Sequence, residues 1–354
     1  FCMLTRSDHS LPRVRFGAGQ RTPVAEEVAR LGCNHALVLS TPQQCDSAMQ
    51  VAERLGDKAA GIFARATMHT PVSVTEEAVA HLRDTGADCV IAIGGGSTTG
   101  LGKAIALRTD VPQIVIPTTY AGSEATAILG QTENGVKTTL SDPRVQPEVI
   151  LYDPELVVSL PVSMTVTSAL NAIAHAAEAL YAENRTAESD ALAGDGLRFF
   201  ADGLPDVLAA PGDLAAREKT LRGAHACGAV LGMVGMALHH KLCHTLGGSL
   251  NLPHADTHAI ILPHAIHYNA AAVPDRLAPI TDIFGGTAPG PSLHAFAQKL
   301  KAPMALRDLG VGEADLDRAA DHATQNPYPH PAPVTRAGLR TLLQAAWEVA
   351  PPHH

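Results

Sequence analysis

Asp88-Cys-Val-Ile-Ala-Ile-Gly-Gly-Gly-Ser97 decides the reading of the fold: a continuously apolar run, Cys89 to Ile93, ends in three consecutive glycines. An apolar run without polar alternation predicts a parallel strand covered on both faces. The segment that follows, Thr98 to Leu107, is compatible with a helix, so the glycines occupy a strand-to-helix turn. Consecutive glycines let backbone N–H groups approach a diphosphate with no Cβ in the way, and a helix N-terminus favours the negative charge. The same residues also suit a tight turn that needs only conformational freedom. Local sequence leaves both readings open. The pattern is neither the G-x-G-x-x-G fingerprint nor a Walker lysine loop, because Lys103 lies too far along.

Outward from this turn, His35–Ser40, Ala59–Phe63, Gln113–Pro117 and Val149–Leu151 read as further strands. Ser47–Leu55 and Val72–Thr85 read as helices, with Glu76 and Glu77 expected in the early turns of the second, where an acid favours the N-terminus. Repeated strand–helix units predict a nucleotide-binding α/β domain over residues 1–160. From Pro161 onward alanine-rich stretches such as Thr165–Ala182 and Ala215–His240 dominate and no strand is evident, so residues 161–354 are expected to form an all-α domain. Pro117-Thr-Thr-Tyr-Ala-Gly-Ser-Glu-Ala-Thr126 presents Thr118, Thr119, Ser123 and Thr126 at the carboxyl edge of the sheet, where open α/β sheets place ligands. Those hydroxyls can bond a ribose or an amide, or simply cap helices.

Composition bounds the partners. Hydrophobic residues make up 46% of 354 positions and charged residues 17%, which suits a well-cored globular chain. The net charge of −9 supplies no concentrated positive field for a nucleic acid. The longest apolar stretch, Ala226–Leu238, has 13 residues and is too short to span a bilayer, and no basic-then-apolar leader opens the chain. No nucleic-acid or membrane partner is expected. The cysteines Cys2, Cys33, Cys45, Cys89, Cys227 and Cys243 show no paired spacing and read as reduced cytoplasmic thiols.

Eight of the 18 histidines fall between His225 and His267. Asn171 and His175 stand four apart on one helical face, as do His240 and His244, and His254 follows after a glycine-containing turn as a loop residue. Imidazole binds Zn or Fe, or moves a proton near neutral pH. His225, His239, His264 and His267 are read only as core or surface residues. Asn171 occupies the place where a carboxylate would best complete a divalent site. A non-enzymatic metal buffer is the rival reading of this histidine density, and the ordered strand–glycine–helix units count against it.

With these residues in view, the chain resembles the iron-containing alcohol dehydrogenase superfamily and, within it, the maleylacetate reductase family. The resemblance spans essentially the whole chain. It rests on Gly94-Gly-Gly-Ser97, Pro117-Thr-Thr-Tyr-Ala-Gly-Ser-Glu124, His240-Lys-Leu-Cys-His244, Leu252-Pro-His254, Leu262-Pro-His-Ala-Ile-His-Tyr-Asn269, and Asn326-Pro-Tyr328 with Pro333-Val-Thr-Arg336. It implies a two-domain fold of dehydroquinate synthase type, with an N-terminal Rossmann-like domain and a C-terminal helical domain. Gly94, Gly95, Gly96 and Ser97 would hold the diphosphate of NADH or NADPH. Thr118, Thr119 and Ser123 would flank its ribose or nicotinamide, Lys137 would lie near, and Ser40, Thr41 and Pro42 would approach the adenosine end. Many relatives carry an aspartate at the Thr41 position, and its absence here implies use of both dinucleotides.

By the same resemblance His175, His240 and His254 map onto the three histidine ligands of metal-dependent relatives, and His244 onto a further histidine near the nicotinamide. The superfamily's aspartate is Asn171 here, as is typical of maleylacetate reductases, so catalysis without iron or zinc is expected. The implied reaction is reduction of the enone double bond of maleylacetate, a small dicarboxylate, to 3-oxoadipate in bacterial breakdown of aromatics. His244 and His254 are the expected participants, with His175, His240 and Asn171 fixing the dianion and Tyr328 donating to a carboxylate. Histidinium, Lys241 and Arg336 are candidate positive charges. The whole expectation requires the imidazoles of the helical half to face the nicotinamide across an interdomain cleft. A metal-dependent (Fe or Zn) alcohol or aldehyde dehydrogenase is the alternative, and a homodimer is implied.

Overall fold

The computed structural model describes residues 11–325 and 328–352. Asn326 and Pro327 of the C-terminal signature, Cys2, and the terminal His353 and His354 lie outside them. The chain divides into two compact units, one comprising residues up to Thr119 together with Ser123–Ser159, the other Tyr120–Gly122 together with residues from Leu160 on.

In the first unit, β1 (Arg13–Phe16), α1 (Val24–Arg30), β2 (Ala36–Leu39), α2 (Cys45–Leu55), β3 (Ala59–Phe63), α3 (Val72–Asp84), β4 (Cys89–Gly94), α4 (Gly96–Thr109) and β5 (Gln113–Pro117) succeed one another. They are followed by β6 (Ile128–Glu133), β7 (Val136–Ser141), β8 (Val149–Tyr152) and the short α5 (Pro154–Val157). Six strands form one sheet in the order β1-β8-β5-β4-β2-β3, and every pairing is parallel. Alternate residues of the central strands feed opposite faces. Val38, Ile91, Ile93, Ile114 and Ile116 pack with Val24, Val28, Ala48 and Val51 of α1 and α2. Leu37, Leu39 and Val90 pack with Ala78, Leu82, Leu101 and Ile105 of α3 and α4. Both faces are dry, which is why these strands read as unbroken apolar runs.

Two features depart from the sequence reading. The helix α3 starts at Val72, so its first turn holds no acid. Glu76 and Glu77 lie beyond the reach of the helix N-terminus, and Glu77 instead pairs with Arg65 at 2.8 Å. The strands β6 and β7 form a separate antiparallel hairpin that the apolar-run criterion misses, because most of its side chains are exposed or half-buried.

The second unit is helical: α6 (Val162–Ala179), α7 (Ala187–Ala209), α8 (Leu214–Met233), α9 (Leu238–Leu250), α10 (His254–Ala270), α11 (Pro274–Phe284), α12 (Pro289–Lys299), α13 (Glu313–Ala323) and α14 (Arg336–Glu348). Leu242, Leu246, Ile261, Leu316, Leu339 and Leu343 join α9, α10, α13 and α14 in one core. The stretch Ala215–His240 is not one helix. It breaks between Met233 and Leu238, and the flanking helices are bent by 96°. Asn184 bridges the break, its Oδ1 accepting from Gly235 N at 2.9 Å. No single helix among the described residues is long and apolar enough to cross a membrane.

Candidate active site

The strand β4 ends on Gly94, whose φ is +154°. A Cβ there would sit 2.4 Å from Thr98 Oγ1 and 2.7 Å from Gln44 Oε1, so the position excludes a side chain twice over. One on Gly95 would press to 3.0 Å on Thr119. The helix α4 opens at Gly96 and Ser97 with no side-chain cap, which leaves its electropositive end available to an anion. Gln44 Nε2 donates to Thr118 Oγ1 at 2.8 Å, tying the turn Pro42–Gln44 to the end of β5. Ser40 Oγ and Thr98 Oγ1 are buried without a partner.

Lys103 supports the loop that carries Ser123. The side chain is fully buried, and its Nζ lies 2.5 Å from Ser123 O, 2.7 Å from Thr126 O, 3.0 Å from Thr126 Oγ1 and 2.8 Å from Ile128 O. Burial pushes its pKa down to about 7, against the opposing pull of Glu124. Lys103 fits no phosphate-loop motif, and its role as a clasp has no local signature. Lys137 is exposed on β7. Thus Ser40, Thr41, Pro42, Gly94–Ser97 and Thr118 gather at the carboxyl ends of β2, β4 and β5.

In the second unit the helical spacing does bring histidines together. On α6, Asn171 and His175 are buried, and the His175 ring stacks on His240 with centroids 5.2 Å apart. Asn171 Oδ1, His175 Nδ1 and His240 Nε2 are all buried with no hydrogen-bond partner. Unmatched polar atoms of this kind cost free energy unless a ligand or water satisfies them, so they mark a polar site built to be filled.

One member departs from expectation. His254 is the first residue of α10, not a loop residue, and is exposed; its ring centroid is 4.2 Å from that of His258. His244 is exposed as well, with Nδ1 3.3 Å from Tyr328 Oη. Lys241 Nζ lies 5.6 Å over the Tyr328 ring and lines an open cleft with Thr245, Ser249, His322 and Gln325. Arg336, a candidate cation, is spent on Asp321 at 2.6 Å and Asp317 at 2.9 Å.

Three residues of the cluster went unrecognised in the sequence. Glu178 is fully buried, and its carboxylate accepts from His240 Nδ1 at 2.6 Å, Ala237 N at 2.9 Å, His239 N at 2.7 Å and Tyr181 Oη at 3.1 Å. Burial alone would raise its pKa, but His240 and these donors outweigh it and hold the carboxyl down at about 2. Its position three residues after His175 and seven after Asn171 places it on the same helical stripe, a signal that was legible. His239, read as a bland core residue, contacts His258 Nδ1 through Nε2 at 3.0 Å and has Cys243 Sγ at 3.7 Å. Burial pushes His239 down to about 3 and His258 well below its ordinary value, so both rings are neutral near pH 7.

A model of the iron-containing alcohol dehydrogenases matches residues 12–154, and one of that family's C-terminal region matches residues 165–347. The chain belongs to the iron-containing alcohol dehydrogenase family. Within it, the chain is 60% identical over 340 residues to the maleylacetate reductase of Rhizobium sp. (strain MTP-10005), covering 96% of this chain and 97% of that one. It is 50% identical over 338 residues to the maleylacetate reductase of Burkholderia cepacia, covering 96% of each. The crystal structure of maleylacetate reductase from Agrobacterium tumefaciens superposes with a TM-score of 0.95 at 58% identity, covering 97% of this chain and 98% of that one.

The family name implies a metal, and His175, His240, His254 and Asn171, the positions that map onto its ligands, fit one poorly. Among the described residues, the trios whose ligand atoms lie within 4.8 Å of one another are His239–Cys243–His258 and Cys33–Asp88–Cys89; His175, His240 and His254 do not form such a set. The fourth position offers the neutral amide of Asn171, which brings no negative charge to a divalent ion. The dinucleotide, in contrast, fits. The cradle at Gly94 and Gly95 would be filled by a Cβ, and orphaned hydroxyls of Ser40 and Thr98 line the same edge.

Proposed function

We infer that this chain reduces the enone double bond of maleylacetate to give 3-oxoadipate, with NADH or NADPH as reductant, in the breakdown of aromatic compounds. The observation that carries the reading is the buried neutral amide of Asn171 beside His175 and His240, a polar site that lacks the carboxylate a divalent cation would need. Near-full-length identity to maleylacetate reductases supports the substrate. We assign dinucleotide binding to a Rossmann-like domain over residues 1–160 of a dehydroquinate synthase-like fold, and substrate binding to the helical residues 161–354.

The dinucleotide, when bound, supplies a hydride from C4 of its nicotinamide to the alkene carbon β to the ketone. Gly94, Gly95, Gly96 and Ser97 take its diphosphate on backbone N–H groups at the start of α4. Ser40, Thr41 and Pro42 flank the adenosine; Thr118, Thr119 and Ser123 flank the ribose or nicotinamide, with Lys137 near. As hydride adds, the electron pair of the alkene moves through the conjugated system onto the ketone oxygen. His244 and His254 stabilise that oxygen by hydrogen bonding and return one proton to the carbon between, so the product gains one hydride and one proton. Asn171 and His175 bind the carboxylates through amide and ring N–H groups, His240, stacked on His175, helps to fix the dianion, and Tyr328 donates to one carboxylate. No step needs iron or zinc. We further propose a cytoplasmic homodimer with no nucleic-acid or membrane partner, in line with the family resemblance and the net charge of −9.

The test is NADH oxidation on adding maleylacetate, run beside the same assay with small aldehydes. Rapid turnover of maleylacetate alone is expected. Preferential turnover of the aldehydes would move the chain to the alcohol dehydrogenase side of its family.

A further inference from the structure

We propose that Glu178 is a positioning residue of this reaction, fixing the tautomer of His240 and seating the start of α9 in one stroke. The inference rests on the function proposed above and names how its site is held. Each carboxylate oxygen takes two donors: Oε2 accepts from His240 Nδ1 and Ala237 N, and Oε1 from His239 N and Tyr181 Oη. With three donors already on it the group is held as the carboxylate, which only accepts, so the fourth contact, at 2.6 Å, places the proton on His240 Nδ1. The opposite nitrogen, Nε2, is thereby the one turned to chemistry, and it is a buried atom with no protein partner.

The same carboxylate sits at the break between α8 and α9. Ala237 is the N-cap of α9 and offers no side chain to cap it. Glu178, one helix away on α6, does that work from outside, as an anion at a helix N-terminus does. His239, His240, Cys243 and His244 all ride on the helix so anchored. One side chain on the helix that carries Asn171 and His175 therefore sets both the ring orientation of His240 and the register of α9 against α6. Tyr181 and two backbone amides fill the remaining lone pairs, so the carboxylate has no freedom to rotate away.

The test uses the full-length protein and the variants Glu178→Gln, His240→Asn and their double. Glu178→Gln keeps the shape and loses two of the four acceptor sites. Its kcat with maleylacetate should fall about 10- to 100-fold while the Kd for NADH stays within about twofold of wild type. Because Glu178 fixes His240 and also seats the helix that carries His244, the double variant should be slower than either single variant by less than the product of the two losses. Losses that multiply, or full turnover in Glu178→Gln, would overturn the proposal. Should the variant fail to fold, wild-type protein labelled with 15N-histidine decides: the signal missing from His240→Asn must show a proton on Nδ1, and a bare Nδ1 overturns the assignment. A wild-type protein that leaves NADH unoxidised with maleylacetate would instead sink the proposed function, and the 15N spectrum would still judge the tautomer.

Discussion

His239 Nε2 and His258 Nδ1 lie 3.0 Å apart, a fully buried contact between two imidazoles that joins α9 to α10. Burial depresses both, His239 to about 3, and it depresses His175 as well and His225 to about 4. The unfolded chain accepts protons on these rings near pH 6.5, while the folded chain refuses them. Stability from this source is therefore complete above about pH 6.5 and is lost as pH falls toward the folded values. Urea unfolding at pH 7.5, 6.5 and 5.5 should show a midpoint that drops steadily. His239→Gln should remove up to about 1.4 kcal/mol per pH unit from that slope. Parallel slopes for the two proteins would show that His239 takes up its proton as readily in the native state as in the unfolded chain.

Gly94→Ala places a methyl group 2.4 Å from Thr98 Oγ1 at a φ of +154°. Something must shift, and what shifts is the turn proposed to hold the diphosphate. The KM for NADH should rise at least roughly tenfold, with a stability loss of about 1–3 kcal/mol. Gly95→Ala meets only Thr119 at 3.0 Å and should be milder. Equal KM values for wild type and Gly94→Ala would detach this turn from cofactor binding.

How much of this was legible follows from where each element is buried. The strands β2 to β5 and β8 announce themselves because both faces of the sheet are apolar. The edge strand β1, Arg13-Val-Arg-Phe16, hides its identity in two arginines that reach the buried Glu27 at 3.2 and 2.9 Å. The hairpin carries its signal in the turn and not in its strands. Asn134 and Gly135 between β6 and β7 both have positive φ, 49° and 77°, as a two-residue hairpin turn demands. On α6, spacing revealed Asn171 and His175, but the carboxylate that orders their neighbours was passed over because its partners, Ala237, His239 and His240, come from a helix break far along the chain. The exposed positions of His244 and His254 were beyond any periodicity argument.

Thr41 precedes the turn Pro42–Gln44 in extended conformation and makes no side-chain cap bond. A carboxylate introduced there would meet the proposed adenosine ribose and repel a 2′-phosphate. Thr41→Asp should raise the KM for NADPH roughly tenfold or more, about 1.4 kcal/mol, and leave that for NADH nearly unchanged. Steady-state kinetics with both dinucleotides measures the ratio; an unchanged ratio would place the adenosine end elsewhere.

Tyr328 Oη and His244 Nδ1 are 3.3 Å apart, a long contact that a bound anion can tighten. His244→Ala should lower kcat by about 10²-fold or more with little change in NADH affinity, as loss of a proton-transferring group does. Tyr328→Phe keeps the ring and removes only the hydroxyl, so its effect should fall mainly on the KM for maleylacetate. A His244→Ala enzyme with wild-type turnover would take that histidine out of the reaction, and a Tyr328→Phe enzyme with wild-type KM would take the phenol out of substrate binding.

Asn171 is the residue on which metal independence turns. Its amide oxygen is buried and unmatched, yet neutral, and the adjacent His175 and His240 do not close with His254 into a compact donor set. Exhaustive chelation and dialysis should leave maleylacetate reduction intact, and added Fe or Zn should not raise it. Asn171→Asp restores the charge that a divalent ion requires, so this variant should retain zinc through gel filtration where wild type does not. In the absence of metal it should also bind maleylacetate more weakly, because a carboxylate beside a dianion repels it. Chelated wild-type enzyme that loses activity and regains it with one equivalent of metal would show that His175, His240 and His254 move together on binding, and that the amide of Asn171 suffices as their companion.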